Sequence, residues 1–151
     1  MNKKQHYQLI KESLDALLID SPTIIASLAN TTALLKEEFS SFSWVGFYLL
    51  NDGKLQLGPF QGKVACTTIE MGRGVCGTAA ATQKTIVVDD VHQFPGHIAC
   101  DEGSQSEIVL PIVLPNQFFG VLDIDSYQLA NFDQEDKQGL EEIIKTLVEH
   151  L

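Results

Sequence analysis

Basic residues are scarce in this chain: ten Lys plus Arg stand against twenty Asp plus Glu over 151 residues, a net charge of -10. That balance repels phosphate backbones and anionic lipid alike, so no nucleic acid and no membrane surface is expected as a partner. No apolar run approaches the length that spans a bilayer. The first twenty residues, MNKKQHYQLIKESLDALLID, carry Lys3 and Lys4 but break into polar residues at alternate turns, and so lack the apolar core of a signal peptide. Cysteine is sparse and odd in number, three in all, which argues against an extracellular disulfide framework. These absences point to the cytoplasm, where a thiol is core, ligand or catalyst.

What is present is enough for one domain over residues 1–151. A chain of this length, 44% apolar and 20% charged, buries roughly two-thirds of its unfolded surface and needs no metal or disulfide staple. The acidity is uneven. Residues 1–100 hold nine acids and eight bases, whereas residues 101–151 hold eleven acids and two bases, Lys137 and Lys145.

The N-terminal third predicts two helices. Tyr7, Ile10, Leu14, Leu17 and Leu18 recur at helical steps, and Ser21-Pro22 offers an N-cap and first-turn proline for a second helix carrying Ile24, Ile25, Leu28, Leu35 and Phe39. From Phe42 the period becomes two: WVGFYLL (44–50), a turn at Asn51-Asp52-Gly53, then KLQLGPF (54–60), a hairpin by its turn chemistry. A third strand is expected from Val64 to Ile69, a short helix over TAAATQ (78–83), a brief strand at Ile86–Val88 and a long irregular loop from Asp89 to Gln105. Strands EIVLPIV (107–113) and FFGVLDID (118–125) follow, then a final helix capped by Asp133. Hairpins without alternating crossovers predict an α+β fold with a central antiparallel sheet and helices packed against it.

Three strands share one pattern. Val45, Phe47 and Leu49 form one apolar face, and Trp44, Gly46 and Tyr48 oppose them; Ile108, Leu110 and Ile112 oppose Glu107, Val109 and Pro111; Leu122 and Ile124 oppose Val121, Asp123 and Asp125. The second sheet face therefore gathers two large aromatics and three carboxylates. A solvated face seldom needs Trp and Tyr, and Asp is disfavoured in strands unless something answers its charge. Aromatics with carboxylates suit a small cationic guest such as an amine.

Cys66, Cys76 and Cys100 fall on a strand, a Gly-rich turn and the long loop. A Cys3His zinc site would have to recruit His92 or His97 across cysteine gaps of ten and twenty-four positions with no Cys-x-x-Cys knuckle, and the zinc deaminase pattern is absent. No metal is expected. Gly72 to Gly77 matches G-x-G-x-x-G, but no parallel crossover follows, so it reads as a tight turn shaping a pocket wall.

The motifs WVGFYLL (44–50), LGPFQGKVAC (57–66), GRGVCGTA (72–79), VVDDVHQFPGHIACDEGSQSEIVLPI (87–112) and GVLDID (120–125) closely resemble the free methionine-(R)-sulfoxide reductases, a family built on the GAF fold. The likeness runs in register from about Trp44 to Asp125. It implies that Cys100 is the catalytic cysteine, with Cys66 its usual resolving partner and Cys76 an alternative or additional one. It further implies that Glu107, Asp123 and Asp125 surround the amino acid and its sulfoxide oxygen, with Glu107 and Asp125 among the catalytic groups, and that Trp44 and Tyr48 form an aromatic wall.

The chemistry implied is attack of the Cys100 thiolate on the sulfoxide sulfur, protonation of the oxygen by a carboxylic acid, and a sulfenic acid converted to a disulfide that thioredoxin reduces. No cofactor is called for beyond that external reductant. One tension is visible: Asp101 and Glu102 follow Cys100, and nearby anions disfavour a thiolate unless His97 or backbone donors offset them. The competing expectation is a GAF-type module that binds a small ligand and regulates a partner without catalysis. Association as a homodimer is left open.

Overall fold

The computed structural model describes residues 1–98 and 100–151. In chain order its elements are α1 (Lys3–Leu18), α2 (Ile24–Glu38), β1 (Trp44–Asn51), β2 (Lys54–Gln61), β3 (Thr68–Ile69), α3 (Gly74–Thr82), β4 (Ile86–Val88), β5 (Ser106–Leu114), β6 (Gln117–Ser126) and α4 (Gln134–Glu149), with one 3-10 turn at Val91–Gln93. The strands form one antiparallel sheet in the order β3-β2-β1-β6-β5-β4. This is the expected α+β architecture. Among the described residues, no helix is long and apolar enough to cross a membrane.

Local chemistry sets the ends of these elements. Asp52 and Gly53 both take positive φ, 54° and 76°, the left-handed conformation that closes a two-residue hairpin between twisted strands. Asp133 caps α4 by accepting the Asp136 amide, while the Asp136 carboxylate accepts the Asp133 amide in return. Asp136 is itself buried, and it is answered twice from α1, by the Tyr7 hydroxyl at 2.7 Å and the Lys3 ammonium at 2.8 Å. That buried carboxylate ties the two terminal helices together.

The sheet is covered on both sides. Val45, Phe47, Ile108, Leu110, Ile112, Leu122 and Ile124 are buried against Ile10, Leu14, Leu28, Leu35, Leu140, Ile143 and Leu147 of α1, α2 and α4. At roughly 1.5–3 kcal/mol for each large apolar side chain withdrawn from water, this layer holds the fold. The opposite face buries Trp44, Tyr48, Leu55, Val109 and Val121 beneath Val75, Cys76, Ala79 and Ala80 of α3. A solvated second face is thereby ruled out.

Several local expectations need correction. Thr23, not Ser21, caps α2: its hydroxyl accepts the Ala26 amide at 3.1 Å, which leaves Pro22 before the cap. Ile24 and Ile25 are exposed on the first turn of α2, and the buried face is Ser27, Leu28, Thr31, Thr32 and Leu35. Leu17 of α1 is likewise exposed. The strand expected from Val64 shrinks to Thr68–Ile69, because residues 62–66 form a loop and only the Thr67 carbonyl, accepting the Leu57 amide at 2.9 Å, rejoins β2. Helix α3 starts at Gly74, inside the glycine-dense run, rather than at Thr78.

Gly139 of α4 gives a test of the α1–α4 seam. A Cβ there would run into the Tyr7 ring, with Cδ1 at 2.7 Å and Cγ and Cδ2 closer still. Helix propensity alone would make Gly139→Ala stabilising by about 1 kcal/mol. Displacing the ring and loosening its bond to buried Asp136 costs more, so we expect net destabilisation of about 1–3 kcal/mol by urea unfolding. A midpoint at or above the parent value would show that Tyr7 is not wedged there.

Candidate active site

Strand register builds the site row by row. Trp44, Asp125 and Glu107 lie side by side across β1, β6 and β5; Gly46, Asp123 and Val109 make the next row, and Tyr48, Val121 and Pro111 the third. By strand alternation all of them point to the side of the sheet that α3 covers. Gly46 is needed there because a side chain at that position would meet the Trp44 indole and Phe60. The indole instead lies across the gap, stacked on Phe60 at 5.3 Å and on Tyr48 at 5.9 Å between centroids.

The polar tips of this aromatic wall do structural work that the sequence reading did not foresee. The Trp44 indole N–H donates to the Lys63 carbonyl at 3.0 Å, and the Tyr48 hydroxyl donates to the Cys66 carbonyl at 2.9 Å. These bonds hold residues 63 and 66 of the loop against β1 and bring Cys66 to the long loop. Cys66 and Cys100 are joined in a disulfide with Cα atoms 5.7 Å apart. Cys100 is exposed, Cys66 half-buried, and Cys76 on α3 is a free, buried thiol. Ala99 of the GHIAC motif lies outside the described residues.

Beneath the disulfide, one pocket is lined by Trp44, Tyr48, Cys76, Cys100, Glu107, Asp123 and Asp125 together with Arg73, His97 and Ser104. Every site residue expected from the sequence except Cys66 lines it, and Cys66 is bonded to Cys100 at its rim. Glu107 and Asp123 are buried, and Asp125 is half-buried. Burial, then the charges of Asp123 and Asp125, push the Glu107 carboxyl well above the usual range. Burial and the Asp123 charge push Asp125 up as well. Burial raises Asp123 too, but hydrogen bonds from Glu107 and Cys76 oppose it, so Asp123 is raised less than its two neighbours.

The same surroundings separate the cysteines. Burial, followed by the charges of Asp123, Glu107 and Asp125, raises Cys76 far above an ordinary thiol, so it stays protonated and bonded to Asp123. One oxygen of Asp123, Oδ1, has no partner among the described residues. Cys76, Glu107 and Asp123 place donor atoms within 4.8 Å of one another, a set able to take a divalent cation. The Cys3His combination weighed from the sequence does not form among the described residues, since Cys66 and Cys100 bond each other and Cys76 faces acids.

His97 does not offset the acids after Cys100: burial, then the His92 charge, lowers its pKa and keeps it neutral, with Nδ1 unpartnered among the described residues. Asp101 is answered instead by the Tyr127 hydroxyl and the Gly103 amide. His92 turns to Asp90 at 2.9 Å. Arg73 is the residue that sequence reasoning missed. It is the only arginine in the chain and stands at the N-cap of α3, which starts with no side chain capping its amides. Its uniqueness was a usable signal.

Comparison with known proteins places this geometry. A family model for the GAF domain matches residues 23–150. The chain is 52% identical over 147 residues to the free methionine-R-sulfoxide reductase of Escherichia coli, spanning 97% of this chain and 89% of that protein. It is 40% identical to the Saccharomyces cerevisiae free methionine-R-sulfoxide reductase, over 97% of this chain and 86% of the other. The X-ray structure of the Neisseria meningitidis free methionine-R-sulfoxide reductase in complex with its substrate superposes with a TM-score of 0.95 at 45% identity, covering 99% of this chain and 90% of that one.

The raised carboxyls have a consequence for stability. A group whose pKa is higher folded than unfolded stabilises the fold fully below the ordinary carboxyl range, and that contribution is lost as pH rises through the folded value. Glu107→Gln removes this penalty. Its melting temperature should therefore exceed the parent's by a few degrees at about pH 8 and converge with it near pH 4.5. An advantage that does not change with pH would contradict the assignment.

Proposed function

Belonging to the free methionine-R-sulfoxide reductases, a family built on the GAF domain, this chain reduces free methionine (R)-sulfoxide, and we propose that Cys100 is its nucleophile. The observation that carries this reading is the disulfide linking Cys100 to Cys66 at the rim of a pocket floored by carboxyls of raised pKa.

Each part of the substrate has a matching surface. The ammonium group of the amino acid is an answer to ionised Asp123, whose Oδ1 is open. Its carboxylate fits the opposite wall, where Arg73 and the first amides of α3 offer positive charge. The methyl of the methylsulfinyl end lies against Trp44 and Tyr48, an apolar contact beside aromatic rings.

The Cys100 thiolate attacks the sulfoxide sulfur while Glu107, protonated at neutral pH, gives its proton to the oxygen, with Asp125 beside it sharing the proton. The oxygen passes with that proton from the substrate sulfur to the Cys100 sulfur, so that the sulfoxide is reduced to methionine, which leaves, and the cysteine is oxidised to a sulfenic acid. Cys66 then attacks that sulfur, forming the disulfide and releasing water. Cys76 is the poorer resolver, because its thiol is buried and held to Asp123. The exposed position of Cys100 gives a dithiol protein of the thioredoxin class access to reopen the bond, which suits a reducing compartment such as the cytoplasm.

The test supplies thioredoxin, its reductase and NADPH, with the R and S epimers of free methionine sulfoxide given separately. Turnover should be confined to the R epimer and vanish in Cys100→Ser, while Glu107→Gln should lower kcat by about 10²- to 10⁴-fold. Full activity in Cys100→Ser would overturn the assignment of the nucleophile.

A further inference from the structure

The two cysteine-bearing segments are joined a second time, without sulfur. Tyr127, one residue past β6, donates its hydroxyl to Asp101 Oδ2 at 2.7 Å. The other oxygen of that carboxylate, Oδ1, accepts the Gly103 amide at 3.0 Å, and Gly103 lies so near the tyrosine that a Cβ there would come within 3.0 Å of Cε1. Over the face of the same ring sits the Lys63 ammonium, 5.6 Å from the centroid. Asp101 directly follows Cys100, and Lys63 precedes Cys66 by three positions. Lys63 is also the residue whose carbonyl Trp44 holds.

One side chain thus touches both segments, and charge supports the contact. Burial works to raise the Asp101 carboxyl, but the bonds from Tyr127 and Gly103 and the Lys63 charge outweigh it and keep the group ionised. An anion, a phenol and an ammonium in sequence form a bridge that contains no sulfur.

We infer that Tyr127 is a positioning residue that clasps the Cys100 segment to the Cys66 segment while the disulfide is open, so that Cys66 meets the Cys100 sulfenic acid as it forms. This rests on Cys100 being the nucleophile. In the step concerned, the Cys66 sulfur bonds to the Cys100 sulfur, the S–O bond of the sulfenic acid breaks, and hydroxide leaves as water with the proton of the Cys66 thiol. No electrons enter from outside. A sulfenic acid left waiting is open to further, irreversible oxidation, so the clasp protects the enzyme as well as speeding it.

The experiment is a single turnover of fully reduced chain with free methionine (R)-sulfoxide and no external reductant. Methionine release, the dimedone-trapped Cys100 sulfenic acid and the disulfide are followed separately. Tyr127 is largely exposed, so Tyr127→Phe should keep the parent melting temperature. It should release methionine within about twofold of the parent rate, form the disulfide about tenfold more slowly and accumulate the dimedone adduct. Asp101→Ala should slow disulfide formation similarly, and the double variant should be no slower than either single one. Disulfide formation at the parent rate in Tyr127→Phe, additive slowing in the double variant, or equal slowing of methionine release would each overturn the clasp. Methionine release by Cys100→Ser would instead overturn the nucleophile, so the two failures are distinguishable.

Discussion

Glu107, Asp123 and Asp125 occupy neighbouring positions on paired strands, and the face they share is closed by a helix of small residues. Water cannot screen them there, and three anions so placed would repel one another strongly. The group relieves this by holding protons. Bonds from Glu107 and Cys76 oppose the rise at Asp123, which makes it the readiest of the three to ionise. The pocket therefore offers an acceptor for an ammonium group and a proton for a departing oxygen from one set of side chains, and it does so at some expense in stability at neutral pH.

The cover over that face follows from the same arrangement. Trp44 and Tyr48 carry a large apolar body and one polar tip each. Their bodies wall the pocket, and their tips hold the carbonyls of Lys63 and Cys66. A loop that would otherwise continue the sheet is thus lifted over the site with a cysteine at its edge. Burial keeps Cys76 a thiol, whereas exposed Cys100 and half-buried Cys66 are joined to each other. Three residues of one type are set apart by their surroundings.

Much of this was legible before any coordinates. The period-two alternation in residues 44–50, 107–113 and 118–125 placed Trp44, Tyr48, Glu107, Asp123 and Asp125 on one face, because a strand admits no other assignment once its apolar side is known. The motifs around the three cysteines identified the family. What remained hidden depended on contacts distant in sequence. Nothing in residues 62–66 says that two side chains from β1 will hold them off the sheet, and nothing near Tyr127 says that it will meet both Asp101 and Lys63. The cap of α2 was misplaced because Ser21 and Thr23 are both good caps, and only the Thr23 hydroxyl reaches a helical amide. Arg73 could have been noticed, since a lone arginine before a glycine run in an acidic chain has few reasons to be there.

The central claim is that the pocket keeps a carboxylic acid protonated at neutral pH beside the reactive cysteine. Infrared difference spectroscopy of the reduced chain, comparing parent with Glu107→Gln at pH 7, reads this directly through the C=O stretch that only a protonated carboxyl shows. The account predicts such a band in the parent and its loss or displacement in the variant. A parent spectrum with carboxylate bands alone, unchanged by the substitution, would mean that all three acids are ionised and would contradict it.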